Sequence, residues 1–523
     1  MTILTDRVDA LFSTWDKPDS PGCVLAVIKD GEFIHKRGYG MADLERGTRI
    51  TPDTVFDLGS TGKQFTATVI AILAAQEQLS LDDPIRKHLP EMPSYADEIT
   101  VRHLIHHTSG LRDYLTLMDI KGLAGANVYP EEFLYDLIAS QKRLNYPPGK
   151  EIQYTNSGYF LLGFIARRIA GKHITELIAE YILEPLGMNH TTFNNDYRRI
   201  VRNRAMSYDA GELEGAFMNN LALCGGFGDG AILSNVEDLL LWDRNFYRNK
   251  LNNAQPDLIE QLHVTGKLNN GKSTTYAFGL VVDQYRGLKC VSHGGSWAGY
   301  RTEMMRFPVE RLTVICISNL STIDPTTLCY EVADILLEEK MGSSLASKTV
   351  VSSEKLEQYT GIYQGKNLTL EIVVNDGALQ LLVGAREYQL QQSGRKRFRF
   401  TDSPDALTFS GRNNEYVRFT EYGIQSEKYR RIRGSLVEQA HLSIYEGDYY
   451  CRELEAKYTI ARVEDGLQII RNRYDAPFPL TAFTEDTLVS KFGELRFRFQ
   501  DGIIKGFSLH ADRVANLKFQ KVQ

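Results

Sequence analysis

No stretch of the chain approaches 18 consecutive apolar residues, so nothing in it reads as a membrane-spanning helix. The opening segment Met1-Thr2-Ile3-Leu4-Thr5-Asp6-Arg7 has no basic region followed by an apolar one, and the expectation is a cytoplasmic, unanchored protein. Cysteine is scarce. Cys23, Cys224, Cys290, Cys316, Cys329 and Cys451 are scattered without CxxC or ligand-like spacing, which excludes a disulfide framework or a thiolate metal site as the organising device. They read as buried free thiols; Cys224, just ahead of Gly225-Gly226, alone has a pocket-lining alternative. An excess of one charge is also missing. With 60 basic and 66 acidic side chains, a formal charge of −6 and no long charged block, neither nucleic acid nor an anionic membrane is the expected partner. The run Arg395-Lys396-Arg397-Phe398-Arg399-Phe400 alternates charge with aromatics, and reads as a solvated face opposite a packed one rather than an RNA surface.

What remains is an ordinary soluble composition, 43% hydrophobic and 24% charged, in 523 residues, too many for one core. One stretch changes character abruptly. Phe56-Asp57-Leu58-Gly59 is extended and turn-like, whereas Phe65, Val69, Ile70 and Leu73 follow with the spacing of a helix with one buried face. Ser60 therefore opens a helix, and Lys63, three residues on, points back at its hydroxyl. Free N–H groups at the helix start favour developing negative charge. Ser-x-x-Lys alone is a weak signal, and the chain repeats it at Ser352 to Lys355 and Ser393 to Lys396. Those copies fall in a Ser-rich linker and a strand-like basic segment, so context selects Ser60.

Around this stretch the pattern is regular. Residues near 3 to 16 read as an amphipathic helix, and Gly22 to Lys29 and Glu32 to Tyr39 as strands joined at Asp30-Gly31. Helical periodicity dominates from about 80 to 220. The histidines at 103, 106 and 107 lack a completing ligand and read as helix-end and loop residues rather than a metal site. Gln153-Tyr154-Thr155-Asn156-Ser157-Gly158-Tyr159 lies between Pro147-Pro148-Gly149 and an apolar helix from Phe160 to Ala170, a rigid platform for side chains. Tyr247-x-Asn249 repeats Tyr-x-Asn in a charged helix end and reads as chance.

Strands return at Tyr276 to Asp283, Leu288 to Ser292, Thr302 to Phe307 and Leu312 to Ser318, followed by a helix from Thr326 to Lys340. Between the second and third lies His293-Gly294-Gly295-Ser296, whose glycines let backbone approach a ligand closely, as an oxyanion hole requires. The N-terminal hairpin and this later set are expected to form one sheet. Beyond Met341 the pattern is all strand and repeats. Tyr359-Thr360-Gly361-Ile362-Tyr363 returns as Tyr445-Glu446-Gly447-Asp448-Tyr449, which suggests two related antiparallel barrels of roughly 80 residues. The expected division is 1–340, a linker over 341–352, then modules over 353–433 and 434–523.

Ser60-x-x-Lys63, Tyr154-x-Asn156 and His293-x-Gly295 thus stand in order within one domain. With His107-Thr108-Ser109-Gly110-Leu111, Pro185-Leu186-Gly187-Met188 and Tyr276-Ala277-Phe278-Gly279-Leu280, they resemble the serine β-lactamase and penicillin-binding-protein superfamily, on its class C and esterase side. The two terminal modules extend the resemblance to bacterial D-aminopeptidases. It implies an α/β catalytic domain, an antiparallel sheet with helices, followed by two β-barrels. It implies Ser60 as nucleophile and Lys63 as its proton partner, with Tyr154 as base or shuttle. Asn156 would hold Lys63 and the substrate amide, His293 would stand where other members carry lysine, and the amides beside Gly295, of Ser60 and Ser296, would bind the oxyanion. No cofactor or metal is implied, and the partner is a small-molecule or short-peptide substrate, with a homodimer possible through the modules.

Two departures bear on substrate. Where many relatives have Lys-Thr-Gly, His293-Gly294-Gly295 offers a largely neutral imidazole and no hydroxyl, weakening a carboxylate clamp. In D-aminopeptidases a loop of the last barrel meets the substrate's amino group; its expected counterpart here, Ser490-Lys491-Phe492-Gly493-Glu494, is too short to reach far. The leading expectation is an acyl-enzyme hydrolase of the D-aminopeptidase, D-amino-acid amidase or esterase kind. A β-lactamase or DD-carboxypeptidase, and more distantly a non-catalytic binding protein, are the alternatives.

Overall fold

The computed structural model describes residues 2–522 except 124–127, 214, 222–227, 252–256, 342–355, 366–368, 376, 384–385, 395, 401–405, 427, 433–438, 465 and 473–475. Cys224, the expected linker apart from Met341, and the Ser352 to Lys355 repeat lie outside the described residues.

The first domain is built on an antiparallel sheet of β1 (Cys23–Lys29), β2 (Glu32–Tyr39), β3 (Val281–Tyr285), β4 (Leu288–Trp297), β5 (Tyr300–Phe307) and β6 (Leu312–Ser318), in the order β3-β4-β5-β6-β1-β2. The first and last strands of the sheet in sequence, β1 and β6, pair at its centre, with Cys23 opposite Ser318 and Lys29 opposite Leu312. β1 is apolar from Cys23 to Ile28 because both of its faces are covered. Leu25 and Val27 join the core beneath α1 (Thr2–Phe12) and α4 (Pro325–Leu337), while Val24, Ala26 and Ile28 face the helical half. The expected strand from Tyr276 starts only at Val281; Tyr276 to Leu280 is a loop, and its Gly279 (φ +68) brings backbone against Lys63 and Gln64.

α2 (Lys63–Ala75) departs from the single buried face expected of it. Lys63 to Leu73 are all buried, because this helix runs between the sheet side and the helices around α3 (Asn156–Ala170). A helix buried all round still shows an apolar stripe in sequence, since Thr66, Thr68 and Gln64 occupy the other positions. Gln64 is satisfied inside by the indole of Trp242 at 2.6 Å.

Two closed barrels follow. In the first, eight strands between Gly361 and Ile432 close through pairing of Ala406–Ser410 with Tyr416–Glu421 and of Tyr416–Glu421 with Tyr429–Ile432. The second closes eight strands between Gly447 and Lys521. The repeated tyrosine motif has one physical cause: Tyr363 Oη donates to Tyr359 O at 2.9 Å, and Tyr449 Oη donates to Tyr445 O at 2.7 Å. Gly361 (φ +133) and Gly447 (φ +135) make the turn that brings each pair together.

The second barrel is bolted to the first domain. Arg112, fully buried, pairs with Glu453 at 2.8 Å; Tyr458 Oη donates to Ile120 O at 2.6 Å. The apolar core of the first domain runs on into this barrel, whereas the first barrel keeps a core of its own around Tyr363, Leu381 and Phe409.

Candidate active site

Ser60 lies on a single 3₁₀ turn, Gly59–Gly62, that runs directly into α2. The approach is held from below: Gly59 N donates to Asp57 Oδ1 at 2.9 Å, and burial pushes the Asp57 carboxyl up to about 6. Gly59 adopts φ +51, and a β-carbon there would lie 2.7 Å from Ser296 N. The Ser60 turn and the end of β4 therefore touch backbone to backbone, which sets the amides of Ser60 and Ser296 side by side. Thr61 Oγ1 fastens the same contact by donating to His293 O at 3.1 Å.

Lys63 is fully buried, and its Nζ lies 3.1 Å from Ser60 Oγ, 2.8 Å from Asn156 Oδ1 and 2.6 Å from Asp229 O. Two of these partners are carbonyl oxygens that can only accept. The third, the Ser60 hydroxyl, can accept from an ammonium or donate to an amine. Tyr154 presents its ring 5.0 Å from Lys63 Nζ, and its buried Oη has no hydrogen-bond partner among the described residues.

Asp113 sets the Tyr154–Asn156 loop. Its Oδ1 caps the helix Tyr114–Ile120 by accepting from Leu115 N and Thr116 N, while Oδ2 accepts from Asn156 N at 2.6 Å. His107 braces the other side. Its ring lies tilted, 4.3 Å from that of Tyr154, and its Nδ1 accepts from Thr155 N at 3.2 Å. Burial holds the His107 imidazole well below its ordinary pKa, so it is a neutral wedge. His103 caps its helix with Thr100, and His106 Nδ1 meets Tyr276 O; among the described residues no cluster could hold a metal.

His293 faces the same site from β4. Nδ1 lies 2.6 Å from Gly294 O and Nε2 lies 2.9 Å from Tyr276 Oη. Burial, with the nearby Lys63 charge, lowers its pKa to about 4. The imidazole is thus neutral, with Nδ1–H donating to the carbonyl and Nε2 accepting from the phenol. Burial holds Tyr276 well above its ordinary pKa, so its proton stays.

These parts open on one cavity of about 780 Å³, lined among others by Ser60, Tyr154, Asn156, His293 and Ser296. All seven residues expected from sequence meet there or directly behind it. Three lining residues, Gln389, Tyr422 and Arg513, come from the barrels and escaped the sequence reading. Tyr422, on a hairpin of the first barrel, stacks 6.4 Å from Tyr154, and its carbonyl accepts from Thr275 N. Arg513, on a hairpin of the second, has its guanidinium 4.8 Å from the Tyr154 ring. Ser490–Glu494 is indeed no reaching loop: Phe492 packs into its own barrel against Tyr458 and Phe478. The barrel enters the site through a different turn, which carries neither glycine nor proline and gave no signal. Glu303, opposite Gly294 on β5, also lines the cavity, its carboxyl pushed up to about 7 by burial.

With the site assembled, comparison with known proteins decides its kinship: the beta-lactamase family profile matches residues 8–332. The chain belongs to the beta-lactamase family. A D-aminopeptidase of Gluconobacter oxydans is 28% identical over 346 residues, covering 65% of this chain and 64% of that protein, so less than two thirds of the relative's length is spanned. Penicillin-binding protein 4* of Bacillus subtilis is 30% identical over 60% of this chain and 71% of its own. Among solved structures, the octameric penicillin-binding protein homologue from Pyrococcus abyssi superposes with a TM-score of 0.59 at 24% identity, over 90% of this chain and 99% of that one, a likeness of fold that includes the barrels.

Proposed function

We propose that this beta-lactamase family member is a serine hydrolase that cleaves small amides and peptides, and esters of similar shape, through an acyl-enzyme on Ser60, as an aminopeptidase or amidase for D-residues. The observation that carries this reading is the environment of Lys63. As an amine, it would give its two N–H groups to Asn156 Oδ1 and Asp229 O, which leaves its lone pair on the Ser60 hydroxyl. Lys63 accepts the Ser60 proton as Oγ attacks the carbonyl carbon; the Tyr154 phenol, whose Oη has no hydrogen-bond partner among the described residues, hands a proton to the leaving nitrogen. Asn156 holds Lys63 in place and offers its amide to the acyl side, and the Ser60 and Ser296 amides receive the oxyanion.

His293 acts here as a neutral strut rather than as a cationic clamp, since it is spent on Tyr276 and Gly294. This leaves β4 without the cationic carboxylate clamp on which the penicillin and DD-carboxypeptidase reading rests, and favours small amides, peptides and esters. The name of the Gluconobacter relative supports D-residues on the acyl side. Association of copies through the barrels also belongs to this proposal, supported by the octameric state named for the Pyrococcus homologue.

The test is intact mass after a fluorophosphonate, with turnover of D- and L-aminoacyl amides and esters. Wild type should gain one adduct and hydrolyse D-substrates faster. Ser60→Ala should lose adduct and turnover while folding normally, because one hydroxyl contributes little to stability. A Ser60→Ala protein that kept its rate would end the proposal.

A further inference from the structure

The Asp512-Arg513 turn of the second barrel is held against the first domain from several sides. Arg513 O accepts from Asn145 Nδ2 at 2.9 Å and Asp113 N at 3.3 Å. Asn145 Oδ1 accepts from Ala515 N at 2.8 Å, Asp512 Oδ2 accepts from Thr116 Oγ1 at 3.1 Å, and Ala515 O accepts from Arg112 Nη2 at 3.0 Å. The backbone is fixed; the guanidinium is not. It is 24% exposed and faces the cavity that Ser60 shares, yet it donates no hydrogen bond to any described residue. Its one ion pair within 4 Å among them is Asp113 Oδ2 at 3.9 Å, an oxygen already accepting from Asn156 N at 2.6 Å.

Five N–H donors in a planar fork, carried on an anchored turn and hydrogen-bonded to no acceptor among the described residues, form a receptor for a carboxylate. The surroundings favour one. Lys63 is bonded to two carbonyls and a hydroxyl rather than to an acid, and the neutral His293 brings no competing cation and no clamp. Asp512 and Asp113 also act on the guanidinium, but Asp512 Oδ2 is taken by Thr116 Oγ1 and Asp113 by the N–H groups of Leu115, Thr116 and Asn156, so a substrate ammonium would meet the Arg513 charge with both acids already engaged.

Resting on the hydrolase reading above, we infer that Arg513 is a specificity-determining residue that binds a carboxylate on the leaving-group side of the substrate. The side follows from Tyr154, which lies under the guanidinium and protonates the departing nitrogen. In the reaction the carbonyl carbon bonds to Ser60 Oγ, the C–N bond breaks, and the Ser60 proton is made up at the leaving amine through Lys63 and Tyr154. The amine departs as an amino acid or peptide whose terminal carboxylate Arg513 has held. Water then hydrolyses the Ser60 ester. The substrate class is therefore a short peptide with a free carboxyl end, in preference to the matching terminal amide.

The full-length enzyme tests this with D- and L-alanyl-glycine against the corresponding alanyl-glycinamides, followed by turnover and by slowing of fluorophosphonate labelling of Ser60. Wild type should prefer the free carboxylate by about ten- to a hundred-fold in kcat/KM, carried in KM, the range of a charge-assisted hydrogen-bonded pair. Arg513→Gln should collapse the ratio towards one, and Arg513→Lys should keep part of it. Equal use of acid and amide by wild type, or an unchanged ratio in Arg513→Gln, overturns the inference. If Arg513→Gln loses its fold, protection of wild-type Ser60 decides: stronger protection by the acid supports the site, equal protection removes it. A labelled Ser60 without acid preference sinks the Arg513 assignment alone. No labelling at all sinks the hydrolase reading with it.

Discussion

At Gly295 a β-carbon would lie 2.0 Å from Leu58 O and 3.1 Å from Thr61 Oγ1, so the strand can sit against the Ser60 turn only because this position has no side chain. Gly295→Ala must push β4 away from Gly59 and move the Ser296 amide off the oxyanion position. Loss of one such donor costs about 2.7–4 kcal/mol in the transition state elsewhere. Fluorophosphonate labelling of Gly295→Ala should therefore slow by about 10²–10³-fold; an unchanged rate would show that Ser296 is not a donor. At this scale the gathering of the candidate residues was legible. Ser60, Lys63, Tyr154, Asn156 and His293 are readable because a helix start, a braced loop and a glycine-rich turn each leave local marks. Asp113 and Asp229 were not, since one acts through backbone N–H groups and the other through its carbonyl, and neither role has a sequence pattern.

Among elements, the helix Tyr114–Ile120 and the loop before it join the two ends of the molecule. Arg112 pairs with Glu453, also bonds Gln141 Oε1 and Ala515 O, and lies one residue before Asp113, which positions Asn156. Removing one partner of a buried pair leaves an uncompensated charge, at a cost of about 3–5 kcal/mol. Here the remaining bonds of Arg112 favour the lower end. Glu453→Ala should lower stability by about 3 kcal/mol in a denaturant titration and weaken labelling of Ser60 through Asp113. A loss under 0.5 kcal/mol would mean that the pair is spectator to the docking. Element boundaries were mostly readable, as the hairpin at Asp30-Gly31 and the helix before Met341 show. Tyr276 to Leu280 misled because its aromatic, apolar run resembles a strand, whereas its task is to pack behind α2 and hold His293.

For the whole molecule, the cores divide it unevenly. The apolar interior of the first domain continues into the second barrel through residues such as Tyr458, Phe507 and Phe519, while the first barrel has a separate core. Regions that share a core open together, and those that do not can open alone. Native-state hydrogen exchange under mild denaturant should show amides of Tyr363, Ile372 and Leu381 exchanging through an opening that leaves α2 protected. Amides of Tyr458, Phe507 and Leu517 should exchange only with α2. Joint exchange of the first barrel with α2 would contradict this division.

By itself the sequence determined the candidate residues and the parts: local spacing specifies a helix-start serine with its lysine, alternation specifies barrels, and repeated tyrosines specify that there are two. Tertiary structure alone decided which barrel turns line the cavity. A turn such as Asp512-Arg513 carries no mark of the surface it will face, because its neighbours Asp113, Asn145 and Tyr154 lie more than three hundred residues earlier and only packing brings them together.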